Sequence, residues 1–274
     1  MPPAPKLQDA PASVQMARGF LKDVAAVDAR RLARDGTEVR RDFDGALDKY
    51  PVYYRQNFHY QSDGWLSDES AERYDHQVEV LFAGAAAAMR RAALAPLARD
   101  LKGRDQRTYA HLDLACGTGG FLAQVLTAYP KLRSTGIDLS PNYVAKAQRS
   151  LAAWPQVELA EGAGEAMPFD NACFDGITNI YLFHELPPKI RPQVLAEVRR
   201  ILKPGAIFVL ADSLQHGDTP GLDGMLEYFP EGFHEPYYKG YLDWDLDGSV
   251  TSAGFEKEDQ HLAFLTKVTV WRAV

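Results

Sequence analysis

The sequence predicts an α/β fold, a doubly wound and mostly parallel sheet that ends in an antiparallel hairpin and follows an N-terminal helical cap. Three observations predict it. Short apolar runs at 110–115, 133–138, 156–160, 174–180 and 206–211 alternate with helical patterns at 119–128, 141–152 and 188–202. Such alternation builds parallel strands covered by helices on both faces. The last two runs, Glu258 to Leu265 and Lys267 to Ala273, follow each other too closely for a helical crossover, so they pair as a hairpin.

Taken in order, residues 1–105 read as the helical cap or lid, with stretches over 13–34 and 69–101. An aromatic, turn-rich segment from Pro51 to Ser67 separates them, and Ser67 or Ser70 serves as N-cap of the second. Residues 106–274 hold the α/β domain. Its first strand breaks into Gly117, Gly119 and Gly120 before the helix. Lys203-Pro204-Gly205 stops the helix over 188–202. Residues 213–246 then interrupt the rhythm with a Gly-, Pro- and aromatic-rich insertion. The segment SVTSAGF reads as a helix end before the hairpin.

Composition narrows the function classes. The 274 residues carry 46% hydrophobic and 24% charged side chains and a net charge of −7, the balance of a globular domain. The acidic sign argues against a protein that coats phosphate backbones, so no nucleic-acid partner is expected. Cys116 and Cys173 alone make no disulfide framework, and a cytoplasmic setting is expected. No apolar run reaches the ~20 residues of a membrane span, and the Pro- and Ala-rich start has no signal-peptide core. The oligomeric state stays open, a homodimer included.

The glycine turn is the most informative stretch. Strand, glycines and helix in that order let backbone N–H groups approach a ligand that a side chain would exclude. Asp138, closing the second strand 21 residues beyond Gly117, has the position of an acid that accepts both hydroxyls of a ribose. The two together predict a nucleoside-bearing cofactor. A nicotinamide fingerprint needs a third glycine, and Leu122 stands there instead.

The segment Glu161 to Pro187, EGAGEAMPFDNACFDGITNIYLFHELP, followed by a helix and LKPGAIFVLAD, completes an order of motifs. That order resembles the class I S-adenosylmethionine-dependent methyltransferases, within them the ubiquinone/menaquinone-biosynthesis and "type 11" small-molecule group, over about residues 69–212 and the hairpin. The resemblance implies a Rossmann-like sheet, S-adenosylmethionine as cofactor and S-adenosylhomocysteine as product. It implies that Asp113, Ala115, Gly117, Thr118 and Gly119 hold the amino-acid end, that Asp138 binds the ribose, and that Leu139 packs on the adenine. Ala163 stands where the family carries an acid for the adenine amino group, so that contact falls to Glu165 or to the backbone around Gly164 and Ala166. Asn179 to Tyr181 lines the methionine moiety. Tyr74, of a Tyr74-Asp75 pair, closes over the cofactor.

Methyl transfer from a sulfonium is an in-line displacement, so the protein must chiefly hold the nucleophile and exclude water. A base matters only for a protonated nucleophile. His184, directly after the fourth strand at the carboxyl edge of the sheet, is the candidate base. Its alternative is a histidine that bonds a loop at the start of a helical turn, with Glu185 as an exposed neighbour. The aromatic segments supply the acceptor pocket, either as its lid or as a satellite core. Its candidate substrate-binding residues are Tyr54, His59, Tyr60, His234 and Tyr238. No metal is expected: Asp212, His216 and Asp218 match no ligand spacing. Cys116 reads as a packed thiol, and Arg30, Arg31 and Arg34 as a solvated helix face.

The reading that follows is a methyltransferase acting on a small organic acceptor by C- or O-methylation. Its rivals are a nicotinamide-dependent oxidoreductase on a similar sheet and a regulator that binds S-adenosylmethionine without turnover.

Overall fold

The computed structural model describes residues 23–42 and 47–274. The described residues open with α1 (23–33) and α2 (Glu38–Asp42). The first part of the helix expected over 13–34 lies outside the described residues. Arg30 and Arg31 do not face solvent freely. Arg30 binds Glu38, the Ser62 hydroxyl and the Tyr60 carbonyl, and Arg31 donates to the Gly232 carbonyl at 2.8 Å.

The single helical stretch expected over 69–101 is three helices, α3 (Asp68–Leu81), α4 (Ala86–Arg91) and α5 (Leu94–Leu101). Ser67 caps α3, its hydroxyl accepting the Ser70 N–H at 3.1 Å, with Asp68 and Glu69 complementing the first turn. The helix stops because Ala83 and Gly84 enter the left-handed region at φ 51° and 82°. Their amides bond back to Val80 and Glu79, a Schellman closure.

The sheet contains β1 (Ala110–Leu114), β2 (Arg133–Asp138), β3 (Glu158–Glu161), β4 (Phe174–Ile180), β5 (Leu202–Ser213), β6 (Phe255–Ala263) and β7 (Thr266–Ala273), in the order β3-β2-β1-β4-β5-β7-β6. The first five strands pair in parallel, and β7 runs antiparallel between β5 and β6. Strand β5 runs further than the expected 206–211 because β7 pairs with it as far as Ser213 opposite Thr266. The helices between strands are α6 (Gly120–Ala128), α7 (Pro141–Ser150) and α8 (Arg191–Ile201).

Each face of the sheet has its own core. Leu112, Leu114, Ile177 and Phe208 pack on Val194 and Val198 of α8. Ile207, Val209 and Val270 pack on Leu97 of α5 and on Phe121 and Val125 of α6. Each such side chain removed from water contributes ~1.5–3 kcal/mol, so this two-sided burial fixes the register of the strands. The 213–246 insertion is more regular than its composition suggests. It forms α9 (Asp223–Phe233) and α10 (Lys239–Leu242), and its end enters α11 (Leu246–Ser252). Leu226 and Tyr238 close on Leu214 in a small core of their own. Among the described residues no single helix is long and apolar enough to cross a membrane.

Strand order reverses between β1 and β4, since β1 continues to β2 on one side and β4 to β5 on the other. At such a switch point the loops at the carboxyl ends part and leave a crevice. Both cavities described next open there.

Candidate functional site

The first cavity, of about 830 Å³, lies over the carboxyl ends of β1 and β2. The chain leaves β1 through Ala115 (φ 58°) and turns at Gly117 (φ 55°) and Gly119 (φ 82°) into α6. A Cβ on Gly119 would stand 2.9 Å from Leu151, so that glycine lets α6 pack on α7. A Cβ on Gly117 would meet no protein atom within 4 Å, and Gly117 lines the cavity. Its backbone is therefore bare toward the space a ligand would fill.

Asp138 braces this turn. Its carboxylate accepts the Gly117 N–H at 2.8 Å and the Ser140 N–H at 2.9 Å. Burial nevertheless pushes its pKa up, so an incoming hydroxyl that donates to it finds a strong acceptor. Thr118 is held from outside, its hydroxyl donating to Asp75 at 3.0 Å. The Tyr74-Asp75 pair thus divides its work: Asp75 fixes the turn and Tyr74 lines the cavity. Burial pushes the Tyr74 phenol up to about 12, and it stays neutral.

Of the residues expected at the cofactor, Tyr74, Ala115, Gly117, Asp138, Leu139, Gly164, Glu165 and Tyr181 share this cavity. Asp113, Thr118, Gly119, Ala166 and Asn179 are not among its lining residues. Asp113 is buried and accepts the Thr178 hydroxyl at 2.8 Å, and burial pushes its carboxyl up to about 7. Asn179 donates to the Leu114 carbonyl at 2.9 Å, while its Oδ1 has no partner. Cys116 is buried, which holds its thiol well above the usual range and makes it inert.

Two tyrosines of the aromatic segment also belong here. Tyr53 donates to Glu165 at 2.7 Å, tying the segment before α3 to the loop after β3. Tyr54, expected at the acceptor, instead lines the first cavity, against Tyr50 and Trp65. The reason lies in the short 3-10 turn Val52–Tyr54, which carries both rings inward together.

A second cavity of about 1140 Å³ lies between α3, α9 and the loop after β4. It shares Trp65, Tyr74, Tyr181 and Glu185 with the first, so the two spaces meet at one wall. Its lining is mostly apolar, with His59, His184, Glu185 and Ser213 as polar groups beside the hydroxyls of its tyrosines, Tyr238 among them. Tyr60 and His234 line neither cavity, contrary to expectation. Their rings pack on each other at 5.3 Å, and the His234 ring lies where a Cβ on Gly36 would be. They join the turn Phe58–Tyr60 and the loop at Gly36 to the end of α9.

The polar end is dense. His184 Nδ1 pairs with Asp212 Oδ1 at 2.5 Å, and Asp212 also accepts the Phe183 and Ser213 N–H groups. Nε2 of His184 lies 3.4 Å from Glu185 Oε1. Burial opposes a charge on His184, but Asp212 and Glu185 outweigh it and hold the imidazole well above its usual range. At rest it donates rather than accepts. Glu185 is not the exposed neighbour the sequence suggested. It is buried, and burial, reinforced by Glu235, pushes it up to about 7. Glu235 is also buried and pushed up to about 7. His59 contacts Glu235, and burial lowers its pKa. Sequence reasoning missed both glutamates, and the available signal was their place beside histidines, His184-Glu185 and His234-Glu235. Asp212, His216 and Asp218 are dispersed, paired with His184, Asp243 and Lys267 respectively.

Known proteins resemble this chain in sequence and in fold. A family described as a methyltransferase domain matches residues 112–205. An uncharacterized methyltransferase of Synechocystis sp. is 35% identical over 151 residues, covering 55% of this chain and 68% of that protein. A demethylmenaquinone methyltransferase of Chlorobaculum tepidum is 34% identical over 143 residues, 51% of this chain and 54% of that protein. The chain therefore spans about half the length of the Chlorobaculum relative. Among solved structures, a SAM-dependent methyltransferase from Aquifex aeolicus aligns with a TM-score of 0.56 at 16% identity, over 76% of this chain and 100% of that one.

Proposed function

Because this chain belongs to the class I S-adenosylmethionine-dependent methyltransferases, with S-adenosylmethionine as its cofactor, we propose that it methylates a small organic acceptor held in the second cavity, on carbon or oxygen. The observation that carries the reading is the shared wall. One cavity has a bare glycine turn and a ribose-type acid, the other is aromatic, and the two meet at Trp65, Tyr74, Tyr181 and Glu185.

The first cavity fits the cofactor. The space above Gly117 is one a Cβ would fill, and Asp138 keeps lone pairs free beyond its two backbone bonds. Gly117 and Ala115 would hold the amino-acid end, Asp138 the ribose, and Leu139, Gly164 and Glu165 the adenine. When bound, S-adenosylmethionine supplies an activated methyl group on a good leaving group. The chain's own part is placement. Tyr74 and Tyr181 exclude water at the shared wall, where loss of position or solvent entry costs rate. Phe229 and Tyr238, with rings 5.2 Å apart, present an aromatic face to the acceptor. The Chlorobaculum relative is named for demethylmenaquinone, and a flat, largely apolar acceptor of that kind suits such a wall. His184, oriented through Nδ1 by Asp212 and held protonated, would donate its Nε2–H to the acceptor's oxygen and stabilise the anionic form that attacks the methyl group.

The oxidoreductase and regulator readings draw no support from the matches. The reading is tested with labelled S-adenosylmethionine and a panel of phenolic, enolic, quinol and amine acceptors. His184→Ala is expected to keep cofactor binding and to lose roughly 10²–10³-fold in turnover on a hydroxylated acceptor. Unchanged turnover would remove His184 from the chemistry, and no transfer to any acceptor would remove the reading itself.

A further inference from the structure

We propose that His59, Glu185 and Glu235 form a binding site for a divalent first-row metal ion at the polar end of the acceptor cavity. Three separate segments bring them together: the turn Phe58–Tyr60, the turn Phe183–Glu185 and the loop that follows α9. One donor atom from each lies within 4.8 Å of the others. His59 Nε2 stands 3.7 Å from Glu185 Oε1 and touches Glu235 Oε1. Bonds of ~2.0–2.2 Å to one ion put neighbouring donors roughly 3 Å apart, so small side-chain shifts close the set.

The observation that asks for a ligand is the state of the carboxylates. The Glu235 side chain is 0% exposed, and neither of its oxygens is held in good hydrogen-bond geometry; its polar neighbours are the His59 Nε2 it touches and the Glu185 carboxyl group. Oε2 of Glu185 is not held in such geometry either. Among the described residues, the ion pairs that reach these two carboxylates come from histidines alone. A buried carboxylate without full pairing costs several kcal/mol, and here two lie side by side. A divalent cation neutralises both at once.

The donor set favours a metal over an organic cation. Two carboxylates alone would suit a hard cation or an ammonium group, and the imidazole nitrogen adds the softer donor that first-row metal ions favour. His59 is aimed into the cluster by a left-handed backbone, φ 55° and ψ 20°, which few non-glycine residues adopt. Its Nδ1 lies 3.4 Å from the Gln61 amide, whose own Oε1 is buried without a partner. A half-turn of that amide lets Oε1 accept the Nδ1–H and leaves the Nε2 lone pair for the ion, the usual outer support of a ligating histidine. One imidazole with two carboxylates suits Mn²⁺, Fe²⁺, Co²⁺ or Zn²⁺ and is a poor set for Mg²⁺. His59 and Glu185 line the second cavity, so an ion there keeps positions open toward the acceptor. A hydroxyl bound to it gives up its proton more readily. That last link rests on the acceptor reading above; the metal site itself does not.

The test uses the full chain, stripped with a chelator and titrated with Co²⁺ by visible absorption and with Zn²⁺, Mn²⁺ and Mg²⁺ by calorimetry. S-adenosylmethionine affinity is measured in parallel as the sign of an intact fold. One equivalent of Co²⁺ or Zn²⁺ is expected, with a ligand-field spectrum for Co²⁺ and weaker binding of Mg²⁺. Glu235→Gln and His59→Gln are each expected to weaken binding roughly tenfold or more while cofactor affinity is retained. If either variant fails to fold, the thermal shift of the wild type with Zn²⁺ against Mg²⁺ decides, and a Zn²⁺-specific rise supports the site. Absence of a bound equivalent, or binding unchanged in both variants, overturns it. Methyl transfer does not enter these readouts, so the metal site can fail while the acceptor reading stands, and the reverse.

Discussion

Gly117→Ala separates the fold from the cofactor site more cleanly than any other change. The residue sits at φ 55°, where a Cβ crowds its own backbone. A left-handed non-glycine residue costs ~1–2 kcal/mol, and the stiffer unfolded chain offsets about 0.4–1 kcal/mol of that. The net loss is therefore about 1 kcal/mol, a fall in Tm of roughly 2–4 °C for a domain of this size. No protein atom lies within 4 Å of the added methyl, so nothing in the fold is pushed aside. The methyl does enter the cavity that Gly117 lines. Overpacking of a fitted space costs ~1–3 kcal/mol, which is a loss in S-adenosylmethionine affinity of roughly 5- to 150-fold. Gly103→Ala is the matched control. It has φ 81°, no atom within 4 Å of a Cβ, and an exposed position between α5 and β1 away from both cavities. Calorimetric titration and thermal melts of both variants give the answer. A small Tm loss in each is expected, with affinity lost only in Gly117→Ala. A folded Gly117→Ala that binds the cofactor like wild type would refute the reasoning, and so would an equal affinity loss in Gly103→Ala.

Two more outcomes follow from the same geometry. Tyr53→Phe removes the bond to Glu165 at about 0.5–1.5 kcal/mol, and cofactor affinity should fall roughly two- to tenfold in calorimetry if the segment before α3 is part of the cofactor site. Wild-type affinity would detach that segment from it. On β1, burial lowers His111 to about 3 and raises Asp113 to about 7. As pH falls from about 6.5 to 4, the unfolded chain gains a proton at His111 that the fold refuses, so stability drops. Over the same window the fold gains a proton at Asp113 that the unfolded chain does not yet take, so stability rises, each by up to about 1.4 kcal/mol per pH unit. The two trends nearly cancel. Chemical denaturation of His111→Gln should therefore show stability rising on acidification, and of Asp113→Asn stability falling, and parallel profiles for the two variants would contradict the opposed shifts.

The strand and helix sequence was legible because its signals are local. Apolar runs of the right length, the glycines at 117, 119 and 120, Ser67 before its helix and the Lys203-Pro204-Gly205 stop all act within a few residues of themselves. What escaped was set by distant packing. The break between α3 and α4 depends on Ala83 taking a left-handed conformation that its residue type does not announce. The helices of the 213–246 insertion are held by contacts of Leu226 and Tyr238 with Leu214 at the insertion's own start, beyond the reach of a local pattern. The same holds in the proposed cofactor site. Gly117, Asp138 and Tyr74 are placed by the strand ends and by α3, and the order of motifs pointed to them. Tyr54 and Tyr60 lie six residues apart in an irregular segment, and only tertiary contacts send one to the first cavity and the other to the seam with His234.

That difference explains why the donor half of the site is easier to read than the acceptor half. The proposed donor half consists of a glycine turn and one acid at strand ends, and strand ends are fixed by the register of the sheet. Its geometry survives large changes in side chains, which is why a short order of glycines and acids suffices to mark it. The proposed acceptor half is made of side chains on three segments that meet only in space, His59 before α3, His184 and Glu185 after β4, and Tyr238 before α10. Each segment is short and held by its own contacts, so an exchange of a few rings in any one reshapes the cavity without moving the sheet. Specificity for the acceptor can then change while the methyl donor stays the same. On this ground, the groups that choose the acceptor are to be sought among the residues of the second cavity that do not also line the first.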